Sequence, residues 1–173
     1  IALPPGVVVV DLDADVFDSL APAMILFHGG SWRGGNKEML HEQCKYFAKR
    51  GMVTITANYR FRNDTATGWE ATEEICIRDA KSAVRWVKQQ AAVLGIDTTR
   101  MVLGGGSAGG HLATMAAVNQ QDNNDPTDNL SVSTKPAALV LFNPAYRHFA
   151  AAKLLPYNYI HNEGTPAIFL YGG

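Results

Sequence analysis

A serine set between glycines is the residue of this sequence best placed to do chemistry. Residues 102–106 form an apolar run that becomes glycine-rich, Ser107 follows, and a helical pattern begins directly after it. The spacing Gly105-x-Ser107-x-Gly109 is typical of a sharp strand-to-helix turn that exposes a serine nucleophile. Glycine is needed on either side because side chains there would collide in so tight a turn. The turn also aims backbone N–H groups at negative charge that develops on a substrate.

The same glycines allow two other interpretations. Gly104-x-Gly106-x-x-Gly109 matches the dinucleotide-binding fingerprint, which also lies between a strand and a helix. That fingerprint requires an acidic residue at the end of the next strand. The next predicted strand, 137–142, lies much further along the chain and is followed by Asn143. The remaining alternative is a glycine-rich turn that serves only the close packing of a strand against a helix.

A second glycine loop favours the nucleophile interpretation. Residues 28–31, His-Gly-Gly-Ser, follow an apolar strand. A loop of this kind presents backbone N–H groups to the oxyanion of a tetrahedral intermediate, and small residues let the main chain approach the substrate. The candidate donors are the amides of Gly30, Ser31 and Ala108. We expect His28 to shape the loop rather than to act as a base, and a dinucleotide-binding domain has no need of this loop.

Three further segments extend these motifs into a family resemblance. They are Asn58-Tyr59-Arg60, the run from Asp79 to Val87, and the run from Leu94 to Arg100. With the two loops, they resemble the esterase and lipase branch of the α/β-hydrolases related to hormone-sensitive lipase and the bacterial carbohydrate esterases. The resemblance covers most of residues 23–118. It implies an α/β-hydrolase fold and a serine esterase that needs no metal or organic cofactor.

The resemblance also implies where the acid and the histidine of a catalytic triad lie. The family's chain order is serine, acid, histidine, so the acid is expected just after the strand predicted at 167–171 and the histidine one strand later. Both are then expected beyond Gly173, and the chain is expected to be truncated at its C-terminus. The start at Ile1 suggests a processed, engineered or incomplete N-terminus. Asp79 precedes the serine and is expected to be a structural carboxylate.

Histidines within the sequence offer a weaker substitute for that triad. His111 lies one helical turn after Ser107, but the turn points the serine away from its own helix. An acid within 122–128 combined with His148 or His161 preserves the chain order, but the acidic segment must then fold over the active site. We therefore expect these three histidines to be surface or cap residues.

Strands and helices alternate along the chain, which predicts a mostly parallel sheet with helices on both faces. The predicted strands are 6–12, 23–27, 52–57, 101–103, 137–142 and 167–171, and the predicted helices are 37–50, 69–94 and 108–119. We expect one domain over residues 1–173, with a solvated insertion at 120–136 and a candidate cap or substrate loop at 144–165. The hydrophobic content of 47% and charged content of 18% are ordinary for a globular domain.

Composition excludes several classes of partner. The net charge is −1 without a basic block, so nothing indicates nucleic acid or an anionic membrane, and no apolar run is long enough to span a bilayer.

The cysteines, Cys44 and Cys76, form neither a disulfide framework nor a zinc pattern. Aspartates within 122–128 suggest calcium, but the glycine and terminal glutamate of an EF-hand loop are lacking. Compartment and oligomeric state do not follow from the sequence.

The sequence therefore predicts a serine hydrolase that cleaves carboxylic esters through an acyl-enzyme on Ser107. The resemblance makes short acyl or acetyl esters, including those on carbohydrates, the expected substrates. Trp32, Tyr59 and Tyr146 are candidate substrate contacts, although core packing explains Trp32 and Tyr59 equally well. The alternative is a catalytically incomplete fragment or a non-catalytic binding protein of the same fold.

Overall fold

The computed structural model describes residues 7–10, 20–146, 151–160 and 164–172. Its strands are β1 (Val7–Val10), β2 (Ala21–Phe27), β3 (Val53–Ala57), β4 (Ile96–Gly106), β5 (Ala138–Phe142) and β6 (Ala167–Leu170). Its α-helices are α1 (His41–Ala48), α2 (Glu74–Gln89) and α3 (Ala108–Val118). None of the helices in these ranges combines the length and the hydropathy that a membrane span requires.

The six described strands form one sheet in the order β1-β3-β2-β4-β5-β6. Every neighbouring pair is parallel except β1 with β3. Parallel pairing places the carboxyl ends of neighbouring strands at one edge, and Phe27 at the end of β2 is in register with Gly105 near the end of β4. The loop after β2 and the turn after β4 are therefore neighbours in space.

Helices cover both faces of the sheet, which confirms the predicted fold class. In β2, Ile25 and Phe27 belong to the larger core cluster, which includes residues of α2 and α3. Met24 and Leu26 alternate with them and belong to a smaller cluster, which includes Cys44 of α1. A strand buried on both faces must be apolar at every position, and this is why β2 contains no polar residue.

The predicted bounds of the longest helix were wrong. Helix α2 covers 74–89 rather than 69–94, and residues 68–71 form a separate 3-10 turn. At the other end, the N–H of Leu94 donates to the carbonyl of Gln90 and Gly95 takes a φ of 64°. A left-handed glycine ends a helical segment by satisfying its last carbonyls through tight turns. The helix predicted at 37–50 is likewise split into a 3-10 turn at 37–40 and α1.

Strand β6 was predicted to be buried, and this was wrong. All four of its residues are exposed, with Ile168 at 59%. In the described structure β6 pairs only with β5. It lies at the edge of the sheet that the described strands form, and an edge strand is covered by fewer neighbours than a central one.

The segment predicted as a solvated insertion is held by a cationic face of α2. Lys81, Arg85 and Lys88 lie one helical turn apart and point the same way. The Lys81 ammonium is fully buried and donates to the carbonyls of Asn119 and Asp122 at 2.5 and 2.7 Å. The Arg85 guanidinium donates to Asp128, Asn124 and the Val132 carbonyl. The Lys88 ammonium donates to the carbonyls of Ser133 and Lys135.

Candidate active site

Ser107 occupies the turn between β4 and α3 in a backbone conformation that is costly for a residue with a side chain. Its φ is 51° and its ψ is −117°, outside the regions that non-glycine residues favour. Hydrogen bonds fix the residue on both sides: its N–H donates to the Phe142 carbonyl at 3.0 Å, and its carbonyl accepts from the N–H groups of Ala145 and His111 at 2.9 and 3.2 Å. The strained turn has the geometry that the glycine spacing predicted.

Gly105 and Gly109 allow this turn to press against the end of β2. A Cβ on Gly109 would overlap the Phe27 carbonyl and would lie 2.6 Å from the His28 carbonyl oxygen. A Cβ on Gly105 would overlap the same Phe27 carbonyl oxygen. Real Cβ atoms do not approach backbone atoms so closely. The two glycines are therefore required for the contact between the serine turn and the loop after β2.

The loop after β2 approaches Ser107 directly. A Cβ placed on Gly29 would lie 3.4 Å from the Ser107 Cβ. Gly30, Ser31 and Trp32 then follow with φ values of 125°, 55° and 60°. The Gly30 carbonyl accepts hydrogen bonds from two later N–H groups of the loop, at 3.0 and 3.1 Å, which closes the loop on itself. The structure thus brings together the two glycine motifs that the sequence singled out.

The three predicted oxyanion donors share one property. Within the described part of the chain, the N–H groups of Gly30, Ser31 and Ala108 donate to no acceptor. Ala108 is the first residue of α3, where a helix leaves its N–H groups unpaired. Backbone N–H groups normally find partners. Among the described residues, the three predicted donors therefore have no backbone acceptor, as the prediction of an oxyanion hole requires.

The Ser107 hydroxyl is exposed, as a nucleophile must be. Among the described residues, no histidine or carboxylate makes a hydrogen bond with it. The two later histidines weighed as substitutes, His148 and His161, lie outside the described residues. The described structure therefore contains a candidate nucleophile next to the three predicted oxyanion donors.

His28 is buried beneath the loop. Its Nδ1 lies 2.7 Å from the Gly29 carbonyl oxygen, so Nδ1 carries the proton and donates. Its ring stacks on Tyr59, with ring centroids 4.3 Å apart and an interplanar angle of 14°. The Tyr59 hydroxyl donates to the His28 carbonyl at 2.8 Å. Burial lowers the pKa of His28. These contacts are those of a neutral residue that shapes the loop.

Two of the three candidate substrate contacts are buried. Trp32 is 6% exposed and Tyr59 is 5% exposed. The Trp32 indole N–H donates to Nδ1 of His111 at 3.3 Å. These positions favour the packing alternative that the sequence left open for Trp32 and Tyr59. Burial also raises the pKa of the Tyr59 hydroxyl, which keeps it a neutral donor.

Tyr146 is more accessible, but it points to a different part of the molecule. Its hydroxyl lies 2.7 Å from the Thr114 hydroxyl on α3, and its ring meets the edge of Phe169. It lines an apolar cavity of about 330 Å³ between α3, β5, β6 and residues 155–160. Ser107 is not among the described residues that line this cavity.

His111 was expected at the surface or in a cap, and this was wrong. It is fully buried, and its Nε2 lies 2.8 Å from the Leu154 carbonyl oxygen. Burial lowers its pKa to about 4. Helix α3 is buried almost all round, and a helix of that kind has no solvent face on which to place a histidine. The apolar and small residues on both sides of position 111 were the sequence feature that could have predicted the burial of His111.

Asp79 has the structural role that the chain order predicted. Its carboxylate accepts from the Arg60 backbone N–H at 2.8 Å and from the Arg60 guanidinium at 2.6 Å. The pair ties the segment after β3 to α2. Asp79 therefore holds a loop, and no described contact links it to Ser107.

Comparison with known proteins identifies the family. The sequence model of the BD-FAE family matches residues 13–140, more than half of the chain. The chain belongs to the BD-FAE family. BD-FAE membership confirms the predicted resemblance to the esterase and lipase branch of the α/β-hydrolases. It also favours the nucleophile interpretation of the glycine-rich turn over the dinucleotide-binding one.

Curated relatives of this BD-FAE chain include esterases of Mycobacterium tuberculosis. The probable carboxylic ester hydrolase LipM is 34% identical over 103 residues, which are 59% of this chain and 22% of LipM. Esterase LipQ is 26% identical over 183 residues, which are 88% of this chain and 41% of LipQ. The chain thus spans less than half the length of these two relatives.

Solved structures of esterase 2 from Thermogutta terrifontis resemble the chain over most of its length. The form phosphoramylated by tabun has a TM-score of 0.81 and 32% identity, covering 95% of this chain and 70% of that one. The propionate-bound form has a TM-score of 0.77 and 33% identity, covering 87% of this chain and 60% of that one. At this similarity, the α/β-hydrolase fold is shared by the two chains.

Proposed function

We propose that this chain carries the nucleophile and the oxyanion hole of a serine esterase that cleaves short acyl esters. One observation carries the proposal. The exposed Ser107 lies on a strained turn beside the loop after β2, and the backbone N–H groups of Gly30, Ser31 and Ala108 have no acceptor among the described residues. A tetrahedral intermediate has one oxygen that needs such donors. The esterase and lipase names of the relatives support the same chemistry.

In the proposed reaction, Ser107 Oγ attacks the carbonyl carbon of the ester while a general base takes its proton. The carbonyl oxygen becomes an oxyanion and accepts hydrogen bonds from the amides of Gly30, Ser31 and Ala108. Collapse of the intermediate expels the alcohol, which receives the proton from the base. Water then attacks the acyl-enzyme by the same route and releases the carboxylic acid. Removal of one oxyanion donor typically costs on the order of 10²–10³ in kcat.

Neither buried histidine beside the two loops is proposed as the base. His28 donates through Nδ1 to its neighbour's carbonyl, and His111 uses both ring nitrogens in buried contacts. The chain order that the resemblance implies places the acid after β6 and the histidine later still. We therefore propose that the acid and the histidine base both follow β6 in the chain, and that neither His28 nor His111 is the base.

The acyl groups we propose are small, from acetyl to butyryl. Esterase 2 of Thermogutta terrifontis has been solved with propionate and with butyrate bound, which supports a short acyl group in this chain by similarity. Esters on carbohydrates are proposed on the resemblance to carbohydrate esterases.

Turnover of p-nitrophenyl acetate and p-nitrophenyl butyrate, by a protein that includes the acid and the histidine expected after β6, tests the proposal. We expect release of p-nitrophenol by the wild type and its loss in Ser107→Ala, because alanine has no nucleophilic oxygen. Ser131→Ala is the matched control, since Ser131 is an exposed residue of the segment that packs on α2. Turnover that persists in Ser107→Ala contradicts the assignment of the nucleophile. Absence of turnover in the wild type favours a non-catalytic binding protein.

A further inference from the structure

A buried hydrogen-bonded pair joins the loop after β2 to helix α3. The Trp32 indole N–H points at Nδ1 of His111 across 3.3 Å, and the two rings meet edge to face with centroids 5.3 Å apart. An indole N–H can only donate, so Nδ1 of His111 must accept. The Leu154 carbonyl can only accept, so Nε2 of His111 carries the proton and donates to it across 2.8 Å. The two neighbours thereby select one neutral tautomer.

Trp32 has an unfavourable backbone conformation that its contacts must hold in place. It follows Ser31, and both residues have left-handed φ values although neither is glycine. A left-handed conformation brings Cβ close to the following carbonyl oxygen, so both residues need contacts that hold them in place. The Trp32 carbonyl accepts from the Arg62 N–H at 2.9 Å. Its main chain is thus tied to the segment after β3, and its side chain is tied to α3.

His111 also contacts the candidate nucleophile. Its backbone N–H donates to the Ser107 carbonyl at 3.2 Å, while its side chain accepts from Trp32. Through these two hydrogen bonds, His111 directly connects the backbone of Ser107 with the side chain of Trp32, the residue that follows Gly30 and Ser31.

We propose that His111 is a positioning residue, which holds the Gly30 and Ser31 amides at a fixed distance from Ser107 through the indole of Trp32. This inference rests on the esterase function proposed above. The ring acts only when neutral, because an imidazolium would present a second N–H to the indole N–H. The depressed pKa of His111 keeps it neutral at the pH at which esterases are assayed. Helix α3 would then serve the site in two ways, through the side chain of His111 and through the backbone amide of Ala108.

Kinetics with p-nitrophenyl acetate test the role in catalysis. His111→Leu removes both hydrogen bonds at similar size, and we expect kcat to fall roughly 10- to 100-fold with KM changed less than about threefold, because displaced donors affect the transition state most. His111→Gln retains an acceptor and a donor and should recover part of kcat. Trp32→Phe removes the indole N–H together with part of the ring, and its kcat should fall in the same direction. Trp86→Phe, a partly buried tryptophan of α2, is the matched control and should keep the wild-type kcat.

A second measurement decides the inference without reference to activity. In ¹⁵N-labelled full chain, we expect the Trp32 indole N–H to exchange slowly and the Ser31 and Trp32 amides to show rigid-backbone relaxation. In Trp32→Phe and His111→Leu, the Ser31 amide should become mobile while the amides of β4 remain rigid.

Unchanged Ser31 relaxation and unchanged kcat in both variants would overturn the positioning role. If the wild type hydrolyses no ester, the proposed function fails, and the relaxation data alone decide whether His111 holds the loop. If His111→Leu does not fold, Trp32→Phe, which keeps an aromatic ring at this position, carries the comparison, with Trp86→Phe as the control for the loss of ring volume.

Discussion

At the residue scale, the site depends on backbone conformations that particular side chains permit or enforce. Ser107, Ser31 and Trp32 adopt positive φ values, and glycines at 105 and 109 make room for the turn. The glycines and the serine were predicted from their spacing, because a tight turn leaves a signature in sequence. The Trp32–His111 hydrogen bond was not predicted, because its partners are far apart in the chain and only the fold brings them together.

Substitution of one glycine tests the close approach of the two loops. In Gly109→Ala, the new methyl group overlaps the Phe27 carbonyl, so the serine turn must move away from the end of β2. We expect a loss of roughly 1–3 kcal/mol in the free energy of unfolding, as in other overpacked sites, measured by urea denaturation. Gly164→Ala is the control, since a Cβ there meets no atom within 4 Å. Equal stability of the two variants would contradict the described contact.

The buried His111 makes stability depend on pH. Its folded-state pKa of about 4 lies below the ordinary histidine pKa of 6.5, so the unfolded chain binds a proton more readily between these values. The free energy of unfolding should therefore be highest above pH 6.5 and fall as the pH approaches 4, by up to about 3 kcal/mol from this group. His28, with a pKa lowered by burial, acts in the same direction.

Urea denaturation at pH 7 and pH 4.5 measures this dependence. His111→Gln removes the titrating group, so the difference in stability between the two pH values should be smaller in this variant than in the wild type. An identical pH difference in both proteins would contradict a buried neutral His111.

At the element scale, the alternating pattern predicted the order of strands and helices, and the structure differs where tertiary contacts decide. The cationic face of α2 resembles a solvated surface in sequence, yet Lys81 is fully buried and Arg85 is nearly so. The two side chains bind carbonyl and carboxylate oxygens of the following segment. Contacts of this kind have no periodic signature, so the sequence did not predict that α2 anchors the segment 120–136, most of whose residues are exposed or half-buried. Strand β6 has the composition of a buried strand, yet its residues are exposed in the described sheet.

Loss of Arg85 tests whether α2 holds that segment. Arg85→Met leaves the Asp128 carboxylate, which is largely buried, without its 2.8 Å ion pair. Breaking a buried pair in this way costs on the order of 3–5 kcal/mol, and the segment 120–136 should become the first site of limited proteolysis. Lys45→Met is the control: it breaks the exposed Lys45–Glu42 pair and should change little. Equal proteolysis of both variants would contradict the docking.

At the scale of the whole molecule, the sheet order explains how two motifs far apart in sequence form one site. Strands β2 and β4 are parallel neighbours, so their carboxyl ends place the 28–31 loop beside Ser107. The sequence predicted both motifs and their fold class, since each motif is local and its family order is regular. The unpaired state of the three amides is a property of the assembled loops, so only the structure could reveal it.

Covalent labelling tests the central claim most directly. Esterase 2 of Thermogutta terrifontis has been solved phosphorylated by paraoxon, and the same reagent should phosphorylate this chain if Ser107 is an activated nucleophile beside an oxyanion hole. After incubation with paraoxon of a protein that includes the acid and the histidine expected after β6, mass spectrometry of its peptides should find one diethylphosphoryl group, on Ser107, and none in Ser107→Ala. A wild-type chain that stays unmodified, or one that is modified at another residue, would contradict the account.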